Sequence, residues 1–126
     1  MTQRMNKTIV SRAIISKIEI ENHPKEVRTK HVMGYETPNK ILVQGNDEGY
    51  VPDIAAFYDD ETVVYEIELN KAMPIEKWKS LSMYARKNHG RFYLVVPDYL
   101  KEEIKAEMKE NEVNAGLIYF NTERSN

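Results

Sequence analysis

Val51-Pro52-Asp53-Ile54-Ala55-Ala56-Phe57-Tyr58-Asp59-Asp60-Glu61-Thr62-Val63-Val64-Tyr65-Glu66-Ile67-Glu68-Leu69 is the stretch on which the reading of this chain turns. Two runs rich in β-branched and aromatic residues flank Asp59-Asp60-Glu61, the composition of two strands and a tight connection. If Asp60-Glu61 form a two-residue turn, or Asp59 to Thr62 a four-residue loop, Tyr58 pairs with Val63. Counting back, Phe57 pairs with Val64, Ala55 with Glu66 and Asp53 with Glu68. Directly opposed residues point to the same face of a sheet, and so do residues two apart. The hairpin then presents Asp53, Glu66 and Glu68 together at one end of one face. Its other face, Ile54, Ala56, Tyr58, Val63, Tyr65, Ile67 and Leu69, is apolar or aromatic and belongs to the core. A one-residue change in loop length would turn one strand over and disperse the acids.

Opposed Cβ atoms lie ~4.5–5.5 Å apart. Carboxylates that close repel unless one is protonated or a cation stands between them. Oxygen donors at this spacing suit a hard ion such as Mg²⁺ or Mn²⁺. Such an ion can lower the pKa of water and neutralise charge building on a phosphate. The bland alternative is that three acids decorate a solvated strand face. It is weakened by Ala55, Phe57 and Val64, which share that face and ask to be covered.

Outward from the hairpin, residues 4–18 place apolar groups at 10, 14 and 18 with 9 and 13 beside them, which is helical spacing. His23-Pro24 stops that helix. From 26 to 35 the pattern becomes two-periodic, with Val27, Thr29, His31, Met33 and Tyr35 on one face. Glu36-Thr37-Pro38-Asn39 reads as a turn, Ile41-Leu42-Val43 as a returning strand, and Gly45 to Gly49 as a loop. Pro74 opens a helix over 75–88 with Ile75, Trp78, Leu81, Ser82 and Ala85 on its inner face, and Gly90 is the expected stop. Phe92 to Val96 is a continuous apolar run, the mark of a strand buried on both faces. Asp98 is placed to cap a helix through Glu110 lined by Leu100, Ile104 and Met108, and Ala115 to Phe120 makes the last strand. The predicted order is αβββ(β)αβαβ: a single α/β domain over 1–126 with an antiparallel meander first, crossover helices afterwards, and 1–8 and 121–126 frayed.

Composition narrows the function classes. The 126 residues suffice for one domain with its own core, and 41% apolar with 30% charged residues is the profile of a globular protein. Without cysteine, neither disulfides nor thiolate metal sites are possible, which is compatible with a reducing cytoplasm. No apolar run approaches the ~18 residues of a membrane span, and no signal-peptide pattern follows the basic start. The expectation is a cytoplasmic protein. Its net charge of −2 argues against a simple coat for nucleic acid. It argues less against a nuclease, whose clustered acids lower the net charge while a bound metal reverses the local sign.

Pro52-Asp53, a β-turn, then Tyr65-Glu66-Ile67-Glu68 resembles the PD…(D/E)xK signature of the restriction-endonuclease-like nucleases. That superfamily has an αβββαβ core with a mixed central sheet flanked by helices, and the order of elements is similar over residues ~9 to 96. The resemblance implies a Mg²⁺- or Mn²⁺-dependent deoxyribonuclease of the restriction, repair, junction-resolving or mobile-element type, often a homodimer. Asp53, Glu66, Glu68 and the backbone carbonyl near Ile67 would hold the metal. The lysine of the signature is replaced by Glu68, giving E-x-E, and a second alignment over Glu68-Leu69-Asn70 puts asparagine there. A displaced ammonium is then expected from Lys71, Lys77 or Lys79, with Lys71 and Lys79 the preferred catalytic candidates. An acid from the first helix, Glu19 or Glu21, would complete the pattern.

Other features weigh less. Arg86, Lys87, His89 and Arg91 would contact phosphates or simply complement a helix C-terminus. The three histidines lack zinc spacing and are expected to be structural, and Trp78 is expected in the core. There is no phosphate-binding glycine loop or nucleophile elbow. The missing lysine and acidic charge keep a second class open, a degenerate nuclease-fold module that binds DNA or protein. A third reading is a protein-binding domain using the strand edge at 115–120.

Overall fold

The computed structural model describes residues 5–43 and 46–122, without the side chains of 43, 46 and 47. Chain order runs α1 (Lys7–Glu21), β1 (Glu26–Thr29), β2 (Ile41–Val43), β3 (Asn46–Tyr50), β4 (Ile54–Phe57), β5 (Thr62–Ile67), α2 (Ile75–Lys87), β6 (Phe92–Pro97), a 3₁₀ turn (Asp98–Leu100), α3 (Lys101–Glu110) and β7 (Gly116–Phe120). A five-stranded mixed sheet in the order β1-β4-β5-β6-β7 forms the centre, in keeping with the mixed, helix-flanked sheet expected, although not with the expected strand order. Its β1/β4 and β4/β5 pairs are antiparallel, and β5/β6 and β6/β7 are parallel.

Both faces of this sheet are covered. Ala55 and Val64 pack with Trp78, Leu81 and Ala85 of α2 and with Leu100 and Ile104 around α3. Ile54, Ala56, Val63, Tyr65 and Ile67 pack with Val10, Ile15 and Ile18 of α1. The inner stripe of α2 is as the 3.6-residue period predicts, since Trp78, Leu81, Ser82 and Ala85 are buried. No helix among the described residues is long and apolar enough to cross a membrane.

Several expectations are corrected. The opening strands do not form a meander within the main sheet. β1 ends at Thr29, the chain turns through Gly34 (φ 98°), and β1 pairs directly with β4. β2 and β3 form a separate two-stranded sheet whose Ile41 and Tyr50 join the α2-side core. The expected loop at 45–49 is thus strand from Asn46; Gly45 lies outside the described residues, as do 1–4 and 123–126 of the expected frayed ends. Fraying does not reach Lys7, because the Asn6 side chain accepts from the Ile9 N–H at 2.9 Å and caps α1. The helix runs to Glu21, just before the stop expected at His23-Pro24, burying Ile18 and leaving Ile20 exposed. Asp98 does not cap α3; its carboxylate accepts instead from the Thr122 hydroxyl at 2.9 Å. At the end of α2 the left-handed residue is His89 (φ 59°), with His89 N–H bonding Arg86 C=O and Gly90 N–H bonding Ala85 C=O. Gly90 answers a different need, since a Cβ there would lie 1.7 Å from the Thr62 carbonyl oxygen of β5.

Candidate functional site

The β4–β5 turn centres on Asp59-Asp60, one residue earlier than predicted: Tyr58 N–H donates to Glu61 C=O at 2.9 Å and Phe57 pairs with Thr62. Pairings therefore slip by two residues, with Ala55 opposite Val64 instead of Glu66. An even slip preserves the faces. Asp53 consequently stands beside Glu66 instead of Glu68, and its backbone N–H donates to Glu66 Oε1 at 3.1 Å.

Asp53 precedes β4 and is 1% exposed. Its Oδ2 accepts from the Ile67 N–H at 2.8 Å, and its Oδ1 lies 2.7 Å from His31 Nε2. Lys7 Nζ, from the first turn of α1, reaches both oxygens at 3.0 and 3.1 Å. Thr29, fully buried at the end of β1, donates its hydroxyl to the Asp53 carbonyl at 2.7 Å and accepts the His31 N–H at 3.2 Å. One threonine thus sets both the strand end that carries Asp53 and the bend that carries His31.

Glu66, also 1% exposed, places Oε2 2.5 Å from Lys77 Nζ. Glu68 is buried and accepts from the Trp78 indole N–H at 2.8 Å. Trp78 and Lys77 are neighbours at the start of α2, so that helix contributes both a cation and a neutral donor to the acids beneath it.

The three acids are held in different states. Burial alone would raise Asp53, but Lys7, the Ile67 N–H and His31 hold it below the ordinary aspartate value. Glu66 is pushed up to about 8 by burial and then by the charge of Asp53, with Lys77 and Lys7 acting the other way. Glu68 is raised by burial, against the Trp78 hydrogen bond and Lys7. Burial would lower Lys7, yet the charge and hydrogen bonds of Asp53, with Glu66 and Glu68 behind it, hold it above the usual lysine range. A carboxylate held ionised beside one that can carry a proton near neutral pH is the electrostatic pattern of acid–base centres.

The predicted residues Asp53, Glu66 and Glu68 are therefore brought together, with the backbone of Ile67 contributing an N–H to Asp53. The lysines are redistributed. Lys71 pairs with Glu103 at 3.2 Å on the surface, and Lys79 lines a groove with Ile41, Leu42 and Met83. Lys77 alone of the three reaches an acid of the cluster. Glu19 bonds the Tyr35 hydroxyl at 3.3 Å and Glu21 is exposed; both lie at the far end of α1 from Lys7. The basic group at 86–91 flanks the start of β5, where Arg91 C=O accepts from Val64 N–H, away from the acids at the strand's other end. Sequence reasoning missed Lys7, His31 and Thr29 as site residues. The two-period placing of Thr29 with His31 was a usable signal; Lys7, 46 residues from its partner, gave none.

Among the described residues, no three His, Asp or Glu side chains are arranged, as they stand, to hold one ion. The donor chemistry nonetheless fits a hard divalent cation: carboxylate oxygens that already draw two ammonium groups. An ion there would compete with Lys7 and Lys77 for these oxygens.

No family model matches the chain, and no curated protein or solved structure is similar enough to count as a match. The chain is a mixed α/β protein whose central sheet carries a buried, cation-paired carboxylate centre at one end of the β4–β5 hairpin.

Proposed function

We propose that the protein is a metal-dependent phosphodiesterase that cuts DNA, with a restriction-endonuclease-like arrangement of its site. The reading is carried by one observation: Asp53, Glu66 and Glu68 converge in a largely buried cluster that recruits cations from two helices. Asp53 and Glu68, with Glu66 completing the set, would hold Mg²⁺ or Mn²⁺. Such an ion supplies a water of lowered pKa and neutralises charge developing on the phosphate. Asp53 is kept ionised by Lys7, the Ile67 N–H and His31, and the Trp78 indole N–H holds the Glu68 carboxylate in place.

The test is nicking of supercoiled and branched DNA with Mg²⁺ or Mn²⁺, wild type beside Asp53→Ala and Glu68→Ala. Nicking by the wild type, lost in both folded variants, supports the reading. No cleavage of any substrate and no stabilisation by the ions counts against it.

The ion pairs favour a second reading. Lys7 and Lys77 already neutralise two of the acids, as they would in a module that keeps the arrangement for binding rather than chemistry. Binding of DNA without cleavage, unaffected by Mg²⁺, supports it.

A further inference from the structure

We infer that Lys7 is the exchangeable cation of this centre: it holds Asp53 until a divalent ion takes its place, then stands beside the ion as the ammonium donor to the scissile phosphate. The second half of this inference rests on the nuclease reading; the first half does not.

The argument begins with position. Lys7 Nζ lies 3.0 Å from one Asp53 oxygen and 3.1 Å from the other, where a cation shared by both would sit. No other cation contacts both oxygens among the described residues, because His31 touches only Oδ1 and Lys77 is on Glu66. Charge count gives the second step. Three carboxylates face Lys7 and Lys77, and His31 adds a further positive charge when protonated. A divalent ion added to both ammonium groups would leave a largely buried cluster with excess positive charge. One ammonium must withdraw, and Lys7 is the one that occupies both oxygens of its carboxylate, whereas Lys77 is paired with a single Glu66 oxygen.

Lys7 is also the ammonium that can move. Its side chain is 36% exposed against 23% for Lys77, and it hangs from the first turn of α1, where the helix has only begun. A four-carbon stem with three donors can turn from Asp53 to a neighbouring phosphate oxygen without changing the backbone. No proton changes hands in that role; the ammonium donates hydrogen bonds to an oxygen that gains charge. The hairpin itself supplies only Glu68 at the position two after Glu66, so the cation arrives from α1, 46 residues before Asp53.

The experiment measures Mg²⁺ and Mn²⁺ binding by calorimetry, and nicking of supercoiled plasmid, for wild type, Lys7→Ala and Lys7→Arg. Lys7→Ala is expected to bind either ion about 10-fold more tightly, because the competitor is gone, while nicking about 100-fold more slowly, the usual cost of one transition-state donor. Lys7→Arg should bind the ions as wild type does and nick at an intermediate rate. Unchanged or weaker ion binding by Lys7→Ala overturns the exchange, and wild-type nicking by Lys7→Ala overturns the donor role. If the wild type binds the ions but nicks nothing, the nuclease reading and the donor role fail together, and the titration alone decides the exchange.

Discussion

Asp53 and Glu66 are joined by a backbone hydrogen bond: the Asp53 N–H donates to Glu66 Oε1 at 3.1 Å, across the open end of the β4–β5 hairpin. The bond ties the two acids' positions to strand register, while their charges are separated by what else each meets. Asp53 has Lys7, His31 and the Ile67 N–H; Glu66 pairs with Lys77 and feels Lys7 from further away.

That difference has a signature in pH. Glu66 has an ordinary value of 4.5 and is raised to about 8 in the folded protein. Between those values the folded state binds a proton that the unfolded chain releases, so this group makes stability fall as pH rises through the window. The slope approaches ~1.4 kcal/mol per pH unit at its steepest. Glu66→Gln should flatten it, with the effect of the substitution growing toward high pH. Asp53, lowered in the fold, works oppositely: its stabilisation is present above its unfolded value and is lost as pH falls through the folded one. Thermal melts of wild type and Glu66→Gln from pH 4 to 9 provide the check, and parallel curves would sink the assignment.

Trp78→Phe should cost ~2–3 kcal/mol in urea denaturation. It removes the indole donor from a buried Glu68 carboxylate, where hydrogen bonds to charged groups contribute ~1.5–3 kcal/mol, and leaves unfilled core volume besides. Trp78→Phe in a Glu68→Gln background should cost less, because the acceptor is then uncharged.

The three lysines near α2 should separate sharply. Lys77→Met breaks a buried pair with Glu66 and is expected to cost ~3 kcal/mol, the low end for such a loss, because Glu66 can take up a proton in compensation. Lys71→Ala loses only a surface pair with Glu103 and Lys79→Ala loses no contact to the acids. Both should stay within ~0.5 kcal/mol of wild type and leave any response to Mg²⁺ unchanged.

Glycine substitutions test the packing of β5 against the end of α2. Gly90→Ala drives a methyl into the Thr62 carbonyl and should cost at least ~3 kcal/mol or prevent folding. Gly34→Ala, with open space around it but φ at 98°, meets only backbone strain and should cost ~1–2 kcal/mol. Equal effects in denaturant titrations would contradict the close approach.

If the carboxylate centre takes Mg²⁺, the ion should raise stability by ~2.7 kcal/mol at a concentration 100 times its dissociation constant. Asp53→Ala should abolish that rise. An equal rise in Asp53→Ala would place the ion elsewhere on the protein.

What could be read from the chain alone was local. The stripe of Trp78, Leu81, Ser82 and Ala85 follows from a 3.6-residue period, and the apolar run from Phe92 from burial on both faces of a sheet. The shared face of Asp53, Glu66 and Glu68 follows from a period of two, and it survived a turn placed one residue late because the resulting slip was even. Tertiary structure decided the rest. Which acid stands beside which depended on the turn that closed the hairpin. That β1 would pair with β4 while β2 and β3 formed a sheet of their own depended on packing, with Val27 on the α1 side and Ile41 and Tyr50 on the α2 side, which no window of residues encodes. Lys7 and His31 met Asp53 across 46 and 22 residues because α1 packs on the sheet in which β1 pairs with β4. Periodicity reports which way a side chain points within its own element. Which distant charges it meets is determined only when the elements bury their apolar faces together.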